Sequence, residues 1–296
     1  MTFAAVMKND RLISWGIFVL LCIIWGSSFI LMKASKVHLT WTVIASLRIF
    51  SAGIVMLPFA FFYFSKIPKK KFPLVILSAI CGNLLPAYLF ALAIAKDLDS
   101  GLAGILNSLT PICVVIIGII FFRSQIAARK TIGVIVGFIG LTLLILAGKK
   151  GMNFENLEYT LLVLAATILY GFNVNIVSSY LKDINPVHLA VVSISFMIIP
   201  TAFVLWQQDF LQLSFDDNNV LLAILNSVML GIAGTAIATA LFYVLVKKAG
   251  GLFASLVTYG IPFIALAWGI YFGENITVLQ IGCLGIILSG VYLANR

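Results

Sequence analysis

Polar side chains occur near the middle of long apolar stretches of this sequence, at depths where leucine would be easier to place in a membrane. In the segment WGSSF, Trp25 and Ser28 are three residues apart and share one helical face. Residues of similar character and depth are Asn83, Tyr88, Asn107, Thr110, Tyr170, Asn173, Thr235, Thr239, Thr258 and Tyr259. Polar groups that face lipid lose their hydrogen bonds, so we expect these side chains to line an internal cavity that binds a small-molecule substrate. Close helix packing is the alternative explanation for Gly26, Ser27 and Ser28.

These residue types favour binding over catalysis or metal coordination. The sequence has no HExxH or GxSxG motif, no pair of acidic residues within an apolar run and no histidine deep in one. An intramembrane hydrolase or acyltransferase would need such groups, so we do not expect an enzyme. The four cysteines lie in apolar runs without CxxC spacing, and we therefore expect no disulfide, no metal site and no cofactor.

One charge and three prolines also lie within apolar runs. Arg48 is the only formally charged residue well inside one, and such a charge usually faces protein or water and carries a role. Both a structural clamp on carbonyl groups and direct contact with substrate remain open for it. Pro86, Pro111 and Pro262 each remove a backbone donor and can kink a helix, so they are candidates for hinges or gates, with a static kink as the alternative.

Hydrophobic helices must position all of these residues. The chain has 296 residues, of which 62% are hydrophobic and 10% charged, a composition that excludes an ordinary soluble domain. A membrane-spanning helix needs about 20 mainly apolar residues. Ten runs satisfy this length, at 12–33, 41–64, 73–95, 100–122, 131–148, 158–181, 187–206, 220–246, 251–272 and 276–294. The sequence therefore predicts an all-α integral membrane protein with ten transmembrane helices.

The basic residues predict the orientation of these helices. With a cytoplasmic N-terminus, 13 of the 19 Lys and Arg residues fall on the inner side and five on the outer side. Because the connecting segments are short, this bias predicts that both termini are cytoplasmic, in the inner membrane of a bacterium. The net charge of +9 thus indicates topology within a lipid bilayer, and no nucleic-acid partner is expected.

The two halves of the sequence resemble each other. Aligning GILNSLTPICVVIIGIIFFR with SLVTYGIPFIALAWGIYFGE superposes Pro111 on Pro262 and Gly118 on Gly269 without a gap. Residues 1–150 and 151–296 are therefore predicted to form two five-helix repeats, and an odd number of helices inverts the second repeat in the membrane. The glycine-rich fifth and tenth helices could pack within the chain or mediate a homodimer.

Several segments, in this order, resemble one family. They are WGSSF, LRIFSAGIVMLP, LTPICVVIIGIIFF, IPFIALAWGIYFGENIT and GCLGIILSG, and together they are similar to EamA-type members of the drug/metabolite transporter superfamily. The resemblance implies a secondary transporter, often an exporter of amino acids or other metabolites. The acidic residue that follows the proline-bearing helix in this family is present as Glu274, whereas Arg123 occupies that place in the first half.

The substrate class follows from the predicted cavity. Side chains of Trp, Tyr, Asn, Ser and Thr with little charge suit a small neutral or zwitterionic metabolite that has an apolar part. A multidrug or nucleobase exporter and a lipid-linked sugar flippase are the alternatives within the transporter class.

Overall fold

Every regular element in the described part of the chain is helical. The computed structural model describes residues 3–96, 98, 103, 106–146, 157–271 and 277–295. Its helices are α1 (Phe3–Ser35), α2 (Trp41–Tyr63), α3 (Phe72–Ala79), α4 (Leu85–Ala95), α5 (Thr110–Phe122), α6 (Ala128–Leu146), α7 (Leu157–Tyr180), α8 (Pro186–Ser195), α9 (Ile198–Gln207), α10 (Asn218–Gly231), α11 (Ala238–Ala249), α12 (Gly251–Ser255), α13 (Val257–Tyr271) and α14 (Val278–Asn295). The expected all-α class is confirmed.

Within the described ranges, six helical segments are long and apolar enough to cross a membrane. They are Arg11–Ser28, Trp41–Lys66, Lys69–Ala95, Glu158–Tyr180, Pro186–Gln207 and Asn218–Ala249. Three shorter apolar helical segments accompany them, at Thr110–Phe122, Gly251–Ile264 and Ile281–Ala294. The predicted boundary between residues 150 and 151 lies outside the described residues, as does Glu274.

Two of the long segments contain a π-helical turn. Ile80–Leu84 joins α3 to α4, and Ile232–Ile237 joins α10 to α11. A π-helical turn places one extra residue in the helix and interrupts the regular ladder of backbone hydrogen bonds, and such turns are frequent at functional sites. Both turns lie in the interior of the molecule, beside the cavity described below.

Side-chain caps fix where several helices begin. The Thr40 hydroxyl accepts a hydrogen bond from the backbone N–H of Val43 at the start of α2. Asn185 caps α8 in the same way, and Pro186 follows at the first helical position, where its missing N–H costs nothing. The Asp217 carboxylate caps α10. These polar residues stop the apolar runs at the ends of the helices.

Helices α6 and α14 make the most extensive contact in the molecule. A Cβ atom added to Gly290 would lie 2.3 Å from the backbone nitrogen of Gly137, and one added to Gly133 would lie 2.4 Å from the backbone nitrogen of Ala294. The two backbones therefore touch, which only glycine permits at these positions. We call this contact, formed by Gly133, Gly137, Gly290 and Ala294, the α6–α14 seam. The glycine-rich motif is thus used for packing within the chain.

Polar contacts join the helices at both ends of the molecule. At the end where α2 finishes, Lys71 forms an ion pair with Asp183, and Lys247 donates to a backbone carbonyl of the α7–α8 connection. At the end where α2 begins, Thr42 donates to the side chain of Gln208 over 2.7 Å. Residues that the charge pattern assigns to one side of the membrane therefore lie together.

Candidate functional site

A cavity of about 110 Å³ lies between the helices, and both halves of the chain form its walls. Ten of the residues singled out from the sequence line it, namely Trp25, Ser28, Arg48, Asn83, Asn107, Thr110, Tyr170, Asn173, Thr239 and Thr258. Thr235 is not among the lining residues, but its hydroxyl accepts a hydrogen bond from Arg48, which lines the cavity. A volume of this size holds several water molecules or one small metabolite.

The WGSSF segment of α1 both packs closely against another helix and lines the cavity. Gly26 lets α1 approach α13, because a Cβ atom there would lie 2.7 Å from the Cβ atom of Ile264. Trp25 faces the cavity, and its indole N–H donates to the carbonyl oxygen of Gly234 over 3.0 Å. Its ring lies 5.5 Å from that of Phe242. Trp25 therefore contributes an aromatic ring to the cavity wall, while its N–H is already used.

The two π-helical turns bring backbone close to the cavity. Gly82 and Asn83 lie in the first turn, and Gly234 and Thr235 occupy the corresponding places in the second, 152 residues later. Gly82 faces the side-chain amide of Asn173, whereas Gly234 faces the hydroxyl of Ser28. Glycine is needed at Gly82, because a Cβ atom would lie 2.3 Å from the Asn173 amide nitrogen.

Two asparagines in the cavity wall carry unused hydrogen-bonding atoms. The Asn83 Oδ1 atom accepts from the hydroxyl of Thr239 over 2.9 Å, but its Nδ2 group has no partner among the described residues. The Oδ1 atom of Asn107 likewise has none. Both residues are 8% exposed, and an unpaired buried polar atom costs free energy. Both asparagines line the cavity, but these two atoms are themselves buried among protein atoms.

Arg48 extends from α2 to the second π-helical turn. Its Nε donates to the hydroxyl of Thr235 over 2.9 Å, and its Nη2 reaches the carbonyl oxygen of Gly234 at 3.5 Å. The expected clamp on a carbonyl group is therefore present, although the guanidinium also lines the cavity. Arg48 and Tyr170 line the same cavity, so this guanidinium shares its surroundings with an aromatic ring.

The comparisons with known proteins agree with this architecture. Residues 13–146 and residues 158–296 each match the EamA-like transporter family. The chain belongs to the EamA-like transporter family. An uncharacterized transporter from Archaeoglobus fulgidus is 27% identical over 284 residues, which cover 95% of this chain and 98% of the relative. A crystal structure of a protein with 15% identity has the same fold, with a TM-score of 0.71 over 97% of this chain and 96% of that protein. The family and the relative are transporters and not enzymes, and this chain is an integral membrane transporter.

Two predicted cavity residues of this transporter lie elsewhere. The Tyr88 hydroxyl shares a hydrogen bond of 2.6 Å with Ser46, within the packing of α2 against α4. Tyr259 is fully buried, and its hydroxyl donates over 2.7 Å to the carbonyl oxygen of Val134 beside the α6–α14 seam. Both tyrosines therefore stabilise contacts between helices, and neither lines the cavity.

The three prolines differ in their surroundings. Pro111 is the second residue of α5, where a helix has no intrahelical partner for the missing N–H, whereas Pro86 follows a π-helical turn inside the continuous segment Lys69–Ala95. Pro262 lies within α13. Pro111 and Pro262, although aligned in the sequence, therefore act differently on their helices. A role for any of the three in gating remains a prediction.

Tyr243 lies between the central cavity and a second one, and it was missed in the sequence. The second cavity has a volume of about 410 Å³ and reaches Lys182 and Lys247 at the end of the molecule where α2 finishes. Tyr243 lines both cavities, and its hydroxyl donates to Asn173 over 3.4 Å. Other cavity residues that the sequence did not single out are Gly82, Phe90, Gly234, Phe242 and Ser255. A signal was available, because Gly82 and Gly234 precede Phe90 and Phe242 by the same eight residues.

Proposed function

We propose that this transporter is a secondary exporter of small neutral or zwitterionic metabolites, such as amino acids. The observation that carries the proposal is the central cavity, whose walls come from both halves and include the side-chain amides of Asn83, Asn107 and Asn173. A small molecule with hydrogen-bond donors and acceptors would find partners among these polar side chains. The aromatic faces of Trp25, Phe90 and Tyr170 suit an apolar part of the same molecule.

The proposed mechanism also requires ten spans arranged as two inverted five-helix repeats, 1–150 and 151–296. Helix pairs support this arrangement, because α1 packs on α13 as α7 packs on α5. Gly26 meets Ile264 in the first pair, and Gly171 meets Cys113 in the second. Both glycines follow the aromatic residue of WGSS or YGFN, and the alignment of Pro111 with Pro262 also pairs Cys113 with Ile264. Substrate then binds near the midplane between the repeats.

The proposed orientation has both termini in the bacterial cytoplasm. Alkaline phosphatase is active only after export, so a fusion after residue 150 should be active and a fusion after Lys71 inactive. Green fluorescent protein fused at the same points should give the complementary pattern. The opposite result in both reporters would contradict the orientation.

Transport by purified protein in proteoliposomes tests the proposed function. The panel comprises radiolabelled amino acids, nucleobases, cationic dyes and a lipid-linked sugar, with protein-free liposomes as the control. We expect saturable counterflow of one or more amino acids or similar small metabolites. Movement of only the dyes, only the nucleobases or only the lipid-linked sugar would contradict the proposed substrate class, and movement of nothing would contradict the proposal as a whole.

We also propose a homodimer through the glycine-rich helices. Gly133, Gly137 and Gly290 are used within the chain, whereas nothing lies within 4 Å of a Cβ atom added to Gly282 or Gly285 on α14. These two glycines leave a face on which a second copy could pack. Replacing both by Leu should convert a dimer to a monomer in detergent, as measured by light scattering, while a variant that keeps the dimer would contradict this interface.

A further inference from the structure

Arg48 has hydrogen-bonding capacity that the protein does not use. A guanidinium group carries five N–H donors in a fixed planar arrangement. The two hydrogen bonds of Arg48 involve Nε and Nη2, and Nη1 donates to no described residue. Because the guanidinium lines the central cavity, these unused donors are available to a molecule bound there. The clamp on the π-helical turn therefore fixes the guanidinium without saturating it.

The described residues provide no negative charge for this cation. Their acidic side chains outside α1 are Glu158, Asp183, Asp209, Asp216 and Asp217, which lie near helix ends or in connecting segments, and none of them lines the cavity. A charge at membrane depth is costly unless it is paired or faces a water-filled space. A carboxylate bound in the cavity would supply a negative charge beside Arg48.

The wall beside Arg48 is polar. Arg48 donates to Thr235, and the Asn83 Oδ1 atom accepts from Thr239, four residues later in the same helical segment. Four residues correspond to about one turn, so Arg48 and Asn83 are attached to neighbouring places on one wall of the cavity. The planar guanidinium of Arg48, with donors still unused on Nη1, matches the two oxygen atoms of a carboxylate.

We propose that Arg48 binds a carboxylate group of the transported substrate through the N–H donors that its contacts with Thr235 and Gly234 leave unused. This inference rests on the proposed function, in which the central cavity is the transport site. It narrows the substrate class from neutral or zwitterionic molecules to those with one carboxylate. A single cation in a cavity of about 110 Å³ suits one negative charge and a small molecule better than a doubly charged phosphate ester.

The asymmetry of the two halves agrees with this assignment. When Pro58 is aligned with Pro200, Ala190 takes the place of Arg48 in the second half. The inverted repeat therefore has two similar walls and one positive charge. A substrate with one carboxylate has a single orientation in such a site, since its charged end matches only the wall that carries Arg48.

Matched pairs of carboxylates and carboxamides test the proposal in proteoliposomes. The twenty L-amino acids are compared with their carboxamides, which lack the negative charge but keep the side chain and the amino group. We expect the wild-type protein to bind a transported acid at least tenfold more tightly than its amide, as measured by competition against the labelled acid. The wild-type comparison requires no variant to fold. Equal affinities for acid and amide would overturn the proposal.

Variants of Arg48 provide the second arm. Arg48→Gln should weaken binding of the acid at least tenfold and leave binding of the amide within about twofold, while Arg48→Lys should give an intermediate loss. Lys36→Gln is the matched control, because this cation lies at the end of α1 and donates to the carbonyl oxygen of Ile94 outside the cavity. Thermal stability of each variant in detergent shows whether it is folded.

The outcomes separate the two proposals. Transport of an acid that Arg48→Gln binds as tightly as the wild type would overturn the carboxylate site and leave the proposed function intact. Transport of nucleobases or dyes alone would also overturn the carboxylate site, together with the proposed substrate class. If the wild-type protein transports no compound in either panel, both proposals fail. A loss of acid affinity in folded Arg48→Gln, with the amide unaffected, supports both.

Discussion

The two halves of this chain meet at the α6–α14 seam and around the central cavity, and the two contacts are built differently. At the seam, backbone touches backbone, and Gly290 leaves no room for a side chain. Around the cavity, polar side chains surround empty space, and the Nη1 group of Arg48 donates to no residue in the described part of the chain. The close contact at the seam stabilises the fold but tolerates few substitutions. The cavity leaves hydrogen-bonding groups without a partner in that part of the chain, and a bound molecule would be able to pair with them.

The cavity itself shows how a repeated scaffold acquires unequal chemistry. Gly82 packs against Asn173 and Gly234 against Ser28, and these are corresponding pairs of the two halves. Arg48 has no such counterpart. The similar backbone of the two halves positions the cavity walls. The unmatched side chain of Arg48 makes the two walls chemically different.

The largest expected effect is at the seam. Gly290→Leu places a side chain where a Cβ atom alone would lie 2.3 Å from the backbone nitrogen of Gly137, so α6 and α14 must separate. We expect a loss of about 3 kcal/mol or more of stability, as overpacking against backbone requires. Thermal unfolding in detergent measures it. Gly16→Leu is the control, since no atom lies within 4 Å of a Cβ atom there, and equal stability of both variants would contradict the close contact.

A cavity residue should change binding more than stability. Trp25→Ala removes the aromatic face and the indole N–H, and we expect substrate affinity to fall roughly tenfold to a hundredfold, about 1–3 kcal/mol. Trp25→Phe keeps a ring and should restore most of this loss, because the N–H is directed at Gly234 and not at the substrate. Competition binding and thermal unfolding are measured on the same samples. A destabilised Trp25→Ala variant with unchanged affinity would make Trp25 a packing residue.

Two identical substitutions sharpen the comparison further. Tyr259→Phe removes the hydroxyl that donates to Val134 beside the seam and should cost about 1 kcal/mol of stability without changing affinity. Tyr170→Phe removes a hydroxyl at the cavity that has no hydrogen bond among the described residues, so it should leave stability unchanged and alter affinity. Unfolding and binding measurements on both variants test whether Tyr259→Phe changes only stability and Tyr170→Phe only affinity. If both variants lost stability equally, the contrast between seam and cavity would be wrong.

The smallest effect is expected at the exposed end of the molecule. The hydrogen bond from Lys71 lowers the pKa of the Asp183 carboxyl below its usual value of 3.8. A lowered pKa means that the ionised group stabilises the fold above pH 3.8 and that this contribution is lost as the pH falls through the lower, folded-state pKa. Asp183→Asn should therefore reduce thermal stability slightly at pH 7 and not at all at the acid limit. A difference that grows towards low pH would contradict the sign.

The sequence predicted where the helices lie better than which of their side chains line the cavity. Hydropathy locates apolar helices because it depends only on composition, and the residues singled out near mid-span account for ten of the twenty that line the cavity. Tyr88 and Tyr259 fit the same criterion, yet their positions depend on Ser46 and Val134, which lie far away in the chain. Helical periodicity also fails after Ile80–Leu84, because a π-helical turn rotates every later side chain relative to a regular helix.

The pairing of Arg48 with Thr235 also has a consequence for biosynthesis. The two residues are separated by 187 positions, so at ordinary rates of translation Arg48 is made roughly 10–40 s before its partner. During that interval α2 must remain in the membrane with a guanidinium that the finished cavity does not yet surround. Arg48 lies seven residues after Trp41, about 10 Å from the start of the helix, within reach of the interface for a long side chain. Because Arg48 lies near the start of α2, the helix is able to insert before Thr235 has been synthesised. The hydrogen bond between Arg48 and Thr235 then forms later.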